Sequence, residues 1–515
     1  MSSRSSIVIE EKPAYVQPQL GRWHKNLLLT LFCLAEFVDA FSNSALFPAQ
    51  PAFKKALNMQ DNELTWMFSA YSAAFAAFLL ISGRVSDIYS SKWTFIVGSA
   101  LVGLFSLGCG FVKDKVGMFV LRGLMGVAAA ATVPSGLSLI IEWFPDPHEQ
   151  NFGISMFGGS SALGNVLGIV LGGIFTQWVS WKWIFYFITI LGVPIAVISI
   201  LSIPPSGPRE KPSFRKLDLP GVILFTASVM LFIYAVTSGS VNGWGSANVI
   251  STLVVSILAM AGFFTLEAWL PEEIASLPPK IWKYPNIPVL MLCAYLPFFW
   301  WTSLFYSLMD YFQTEYHWDT ILTAIRFLPT GTFSAPIGVL GGMFPKYIDI
   351  RYSILIGMGM ELVATILLPF ADTRERYWSL MFPAFIIGTI GTMTVFTQAN
   401  IGVFMNTPPR IAGVVGAIFN VSLQLGLALG LAILTSIRTS IEKKKIQRGE
   451  HPGYTGIADG YWFVFAWVAV TAVLFFLFYK KGASGPPDEE VVAPASGDAE
   501  SERTKNESRE AVLKQ

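Results

Sequence analysis

Unbroken apolar runs of membrane-crossing length recur along this chain, and they leave very few folds open to it. One such run, "NLLLTLFCLAEFVDAFSNSALF", begins at Asn26, and "YWFVFAWVAVTAVLFFLFY" ends at Tyr479. A hydrocarbon core of about 30 Å is crossed by about 20 such residues as a helix. In lipid every backbone N–H and C=O must be satisfied within the protein, so helices are what these runs form. Spans are expected at roughly 26–48, 63–83, 93–111, 117–141, 152–176, 183–203, 219–238, 247–269, 286–308, 320–343, 352–370, 378–402, 411–435 and 460–480. That makes fourteen. Only 13% of the 515 residues are charged against 53% hydrophobic, about half the charge of a soluble chain. The fold class expected is an all-α polytopic membrane protein.

Two polar, Pro-bearing segments, "IPPSGPREKPSFRKLD" and "LPEEIASLPPKIWKYPN", set off a middle pair of spans. The expected organisation is therefore a cytosolic tail (1–25), a six-helix bundle (26–205), a linker with two extra spans (206–285), a second six-helix bundle (286–480) and a polar, disordered cytosolic tail (481–515). Arg22, Lys25, Arg84, Lys92, Arg209, Lys211, Arg215 and Lys216 favour the cytosolic side for the segments that carry them. "SIRTSIEKKKIQRGEHPGY" breaks that rule by falling outside, and is expected to be an amphipathic surface segment.

Several functions drop out. Lys+Arg and Asp+Glu nearly balance, at 35 and 34, so nucleic acid is not an expected partner. Cys33, Cys109 and Cys293 lie inside apolar runs and the four histidines have no ligand spacing, so neither a disulfide framework nor a metal site is expected. No phosphate-binding P-loop, nucleophile elbow or cofactor motif occurs, so no cofactor and no enzyme activity are expected.

The turn "SGRVSDIYSSKW" gathers Arg84, Asp87 and Lys92 between two apolar runs. With Gly83, their spacing resembles the cytosolic loop signature between the second and third helices of the major facilitator superfamily. "LRGLMG", with Arg122, resembles that superfamily's fourth-helix motif. "GNVLGIVLGG", through Gly164, Gly168, Gly172 and Gly173, resembles its fifth-helix antiporter motif. "VDAFSNSALFP", with Asp39 and Pro48, resembles the first-helix motif of the fungal-type fourteen-spanner drug:proton antiporters, as do the later "SWKWIFYF", "LDLPG" and "NVSLQLGLALG". The resemblance implies a major facilitator fold with two extra linking helices, working by alternating access. It also implies that Gly83 allows a close helix approach and that Asp87 meets the start of the thirteenth span near Pro408 and Pro409, with Arg84 or Arg410 alongside.

Ionisable groups inside a span cost several kcal/mol unless paired or hydrated, so each is a functional candidate. Glu36, Asp39 and Asn43 fall on one face of the first span. Asp39 and Glu36 are the expected proton carriers, with Arg122 holding either carboxylate ionised until substrate displaces it. Gly164, Gly168 and Gly172 form a small-residue stripe suited to close packing. Glu361 is a further candidate, and Asp310 and Arg326 are expected to pair at the outer mouth. In the fold that the resemblance implies, Trp301 and Phe305 give the substrate cavity an aromatic face suited to flat or cationic organic molecules. Asn43, Gln398, Asn420 and Gln424 (with Thr394) are its polar groups.

The expected function is proton-coupled efflux of a small organic or toxic compound by a monomer, in the plasma rather than the vacuolar membrane. Two alternatives stay open. Ile169 replaces the antiporter motif's proline, which leaves room for an importer of a small nutrient such as an ammonium-like cation or an organic acid. A non-transporting nutrient sensor is the other.

Overall fold

A computed structural model describes residues 20–60, 63–205, 218–271, 275–407 and 412–480. Polar residues between the apolar runs start the helices by accepting the unpaired N–H groups of first turns. The first group comprises α1 (Arg22–Ser44), a short α2 (Gln50–Leu57), α3 (Thr65–Ile88), α4 (Ser91–Phe111), α5 (Lys115–Trp143), α6 (Pro147–Trp178) and α7 (Lys182–Ser202). Ser90 caps α4 and Asp114 caps α5, the latter accepting from Gly117 N at 2.7 Å. The extra pair is α8 (Leu219–Asn242) and α9 (Ala247–Trp269), capped by Asp218 and Ser246. The second group comprises α10 (Ile287–Thr314), α11 (Thr320–Arg326), α12 (Leu328–Gly341), α13 (Ile350–Leu367), α14 (Met381–Met405), α15 (Ala412–Gln447) and α16 (Thr455–Phe478).

Thirteen of the helices in the described residues are each long and apolar enough to cross a membrane. The expected span 320–343 differs: it is broken between Arg326 and Leu328 into α11 and α12. Pro329 has no N–H to offer the Ile325 carbonyl, so a continuous helix there would lose a bond and gain a clash. The basic stretch after the expected span 411–435 also differs, continuing as helix to Gln447 instead of leaving as a separate segment. Arg438 reaches Glu442 at 2.7 Å one turn on, which supports the extension.

Each group has close helix packing built on glycine. On α6, a methyl at Gly164, Gly168 or Gly172 would land 2.5 Å from Phe37 O, 2.0 Å from Ser44 Oγ and 2.3 Å from Ala45 O respectively, so this stripe lets α6 lie directly on α1. In the second group α15 lies on α10 in the same manner, Gly426 sitting 2.2 Å (by its missing Cβ) from Tyr295 O. Gly172→Ala is expected to destabilise the detergent-solubilised protein by about 1–3 kcal/mol, because the obstructing atoms are backbone. Gly158→Ala, with nothing within 4 Å, is the neutral control, and thermal unfolding of the two variants checks the difference.

The extra pair is no loose linker. α8 packs on both α3 and α15, with Thr226 Oγ1 donating to Ala77 O at 2.9 Å and Trp244 Nε1 to Ser436 Oγ at 3.0 Å. It therefore covers one side of the seam between the two groups. The end of the molecule where α1 starts is called here the near end, and the end where α1 finishes the far end.

Candidate functional site

The first-span aspartate meets its arginine only at second hand. Arg122 on α5 is completely buried. Its Nε donates to Met67 O at 3.0 Å, Nη1 to Ser42 Oγ at 3.0 Å and to Ser42 O at 3.3 Å, and Nη2 to Asn43 Oδ1 at 2.9 Å. The direct pairing of Arg122 with Asp39 or Glu36 expected from sequence is not what forms. Tyr71 on α3 stands between them: its ring lies 4.4 Å under the guanidinium and its hydroxyl donates to Asp39 Oδ1. A guanidinium over an aromatic face is attracted by the ring's quadrupole, so the tyrosine links cation to carboxylate without an ion pair.

Asp39 is half-buried and borders a cavity of about 10 Å³ with Ser99, Thr132 and Gly192, room for one water. Glu36 sits one turn nearer the N-terminus, with Oε2 buried and unpartnered and Ser161 of α6 beside it. Asn43 completes the face, but as an Arg122 ligand, not as an open cavity group. Tyr71 is the residue that sequence reasoning missed. The only signal was a large hydroxyl-bearing ring amid the small residues of "FSAYSAAF".

At the far end the two groups are locked by charge. Lys54 on α2 donates to Asp310 Oδ1 at 2.7 Å, and Arg438 on α15 to Asp310 Oδ2 at 3.0 Å. Asp310 is only 3% exposed. The pairing with Arg326 expected from sequence does not form; that guanidinium lies over Trp318, Tyr377 and Trp378 at 5.0, 4.3 and 4.7 Å. Gln313 Nε2 donates to Pro48 O at 2.9 Å and Thr320 N to Gln177 Oε1 at 3.1 Å, both across the seam. Phe305 belongs here too: it packs on Phe47 at 5.5 Å and Phe327 at 5.6 Å, so it seals the far end where an open cavity face was expected. The space around Asp310 is a cavity of only about 10 Å³.

A cavity of about 460 Å³ lies along α1 and α6, lined by Asn26, Thr30, Cys33, Phe37, Met156 and Ser160 among others. Of the polar groups expected in the second half, Gln398 is buried and donates to Gly341 O at 2.7 Å, pinning α14 to α12. Asn420 turns back to Gly416 O at 3.0 Å on its own helix, Thr394 does likewise to Ile390 O, and Gln424 is buried with Oε1 unpartnered. Trp301 is half-buried and packs on Phe298. Glu361 is fully buried with both oxygens unpartnered, near Cys293 and Thr392.

In the charged turn, Lys92 donates to Ile203 O at 2.5 Å, capping the end of α7. Arg84 donates to Ala275 O at 2.6 Å in the connection after α9. A methyl at Gly83 would meet only Pro134, at 4.0 Å, so the close approach expected there does not occur. The Asp87 side chain and residues 408–411 lie outside the described residues, and with them the expected contact to the thirteenth span. On α6, Gly173 faces the second group instead of α1, its missing Cβ 2.9 Å from Ala324 Cβ.

Residues 32–431 match the profile of the Major Facilitator Superfamily. The chain belongs to that superfamily. It is 29% identical over 430 residues to the puromycin resistance protein pur8 of Streptomyces alboniger, covering 82% of each chain. It is 25% identical over 412 residues to the major facilitator superfamily multidrug transporter mfsC of Aspergillus fumigatus, covering 78% of this chain and 77% of that one. The fold matches a bacterial homologue of the human lysosomal transporter Spinster in an inward-facing and occupied conformation, with a TM-score of 0.62 at 13% identity over 91% of this chain and all of that one. The protein is thus a multi-pass membrane transporter of the major facilitator fold.

Proposed function

We propose that this transporter exports a small organic compound in exchange for protons, by alternating access, across the plasma membrane. The observation that carries the reading is the Asp39–Tyr71–Arg122–Asn43 network: a carboxylate poised next to a fixed cation but not neutralised by it. Such a group binds and releases a proton at low cost when its surroundings change from sealed to hydrated. Glu36, one turn away with an unpartnered oxygen, is the second acceptor on the same face. With the N-terminus cytosolic, the near end faces the cytosol and the far end outward. The locked far end and the cavity along the near half then describe the state that loads cargo from inside.

Efflux is supported by relatives that include the puromycin resistance protein pur8 and the cephamycin export protein CmcT of Amycolatopsis lactamdurans. The cargo site we assign to the near-half cavity along α1 and α6. Its lining carries no Lys, Arg, Asp or Glu, and so suits neutral or weakly polar organic molecules.

The test is flux in proteoliposomes carrying an internal pH dye, with puromycin and a panel of neutral and cationic organic compounds as probes. Antiport requires cargo and protons to move in opposite directions across an imposed pH step. Movement in the same direction, or cargo flux indifferent to the step for every probe, overturns the reading.

A further inference from the structure

Arg326, the last residue of α11, has aromatic rings around its guanidinium in place of an anion. The centroids of Trp318, Tyr377 and Trp378 lie 5.0, 4.3 and 4.7 Å from its Cζ, and the Tyr377 hydroxyl donates to the Arg326 carbonyl at 2.7 Å. Ring faces attract the charge, but they do not serve the N–H groups at the guanidinium edge as an oxygen does. Arg326 Nη1 is buried without an acceptor, and so is the indole Nε1 of Trp318, a residue only 5% exposed. A second guanidinium shares that indole, Arg374 Cζ lying 5.6 Å from the Trp318 ring. Among the described residues neither arginine forms an ion pair. Of the carboxylates nearest them in the chain, Asp372 is held by Arg376 at 2.8 Å, and Asp319 and Glu375 are exposed. Two like charges drawn to one ring repel each other, and an anion beside both removes that cost.

We propose that Arg326 and Arg374 bind the phosphate of a phospholipid in the far leaflet, and that this lipid holds the far seam closed. The cage stands at the rim of the membrane-spanning surface: Ile325 is 50% exposed and Trp378 62%. Apolar side chains facing outward from such a chain face lipid, and tryptophan favours the headgroup level. Phosphate oxygens match the planar fork of an arginine, and the acyl chains would lie on the apolar surface that Ile325 and Trp378 present. The consequence for the seam follows from where α11 sits. Its first residue, Thr320, donates its N–H to Gln177 Oε1 of α6 at 3.1 Å, and Ala324 packs on Gly173 of α6. Seven residues long and separated from α12 at Phe327, α11 has too few hydrogen bonds of its own to fix its direction. A headgroup on Arg326 fixes the end of α11 while α6 receives its start. The lipid thereby favours contact between the two groups at this end.

Thermal unfolding of the delipidated full-length protein in detergent, titrated with phosphatidylglycerol, tests binding. Diacylglycerol with the same acyl chains and inorganic phosphate are the comparison probes. Phosphatidylglycerol is expected to raise Tm saturably, as a ligand of the folded state does, and the other two to leave it unchanged. Arg326→Gln is expected to abolish the saturable rise. Arg374 is exposed, so Arg374→Gln keeps the fold and decides the matter if Arg326→Gln does not fold; it is expected to need about tenfold more lipid for half the rise. A cage that merely staples the protein would lower Tm in the variants without changing their lipid response. Closure is read from Ser307, which is buried beside Asp310. A Ser307→Cys reporter is expected to react with a water-soluble maleimide about tenfold more slowly once phosphatidylglycerol saturates, and to need the same higher lipid concentration for that slowing in the Arg374→Gln background. An Arg374→Gln titration that coincides with wild type overturns the proposal, as does a Tm rise matched by inorganic phosphate, which would assign a free anion, or by diacylglycerol, which would assign the chains alone. Labelling unchanged by saturating lipid overturns the closure. No arm measures transport, so failure here is distinguishable from failure of the antiport reading.

Discussion

An Asp310→Asn variant is expected to leave the far end unlocked. In the closed seam Asp310 accepts from Lys54 and Arg438 and is nearly excluded from solvent. Asparagine keeps the shape but removes the carboxylate that Lys54 and Arg438 share, while Arg438 retains Glu442. Removing one partner of a buried ion pair costs about 3–5 kcal/mol, and here the cost falls only on the closed state, because the opened seam lets water solvate both cations. A bias of that size moves a two-state equilibrium by a hundredfold or more. Transport should fall steeply, since the cycle stalls with the far end open. Ser307 lies beside Asp310 and is buried, so a Ser307→Cys reporter should react slowly with an impermeant maleimide in the parent and quickly in the Asp310→Asn background. Equal labelling rates and equal transport would show that the triad is not the lock.

Asp39→Asn should break coupling while sparing the fold. The amide oxygen can still accept from the Tyr71 hydroxyl, and the Arg122 bonds to Met67, Ser42 and Asn43 do not involve Asp39. What disappears is the group that exchanges a proton. Accumulation driven by an imposed pH step should drop to the level of protein-free liposomes, while exchange of labelled for unlabelled cargo at equal pH persists. Full gradient dependence in the variant would remove Asp39 from the mechanism and move the role to Glu36.

The two sites differ in how far they could be read from the chain. Glu36 and Asp39 stand out because charge is rare inside a span and because helical spacing places them on one face, a property of a single turn of local geometry. That Arg122 would reach Asp39 only through Tyr71 was not legible, since the intervening ring comes from another helix. Lys54, Asp310 and Arg438 were harder still. The first pair is 256 residues apart and the second 128, and nothing in the spacing along any one span marks them as partners. The expectation that Asp310 would meet Arg326 rested on closeness in the chain, whereas Arg326 found aromatic faces and Asp310 found Lys54 across the seam and Arg438 on α15 of its own group. Phe305 and Gln398 show the same limit: helical periodicity gives the face a residue lies on, but not whether that face meets cavity, seal or neighbouring helix.

Taken by itself, the sequence determined that the chain crosses a membrane many times as helices and which superfamily it belongs to, because burying a backbone in lipid is a demand each segment meets alone. Partners were decided only by the tertiary structure. Which end of the seam is shut, which cation answers which carboxylate, and which aromatic becomes a seal depend on how separately stable helices dock, and docking brings together residues that no local pattern connects.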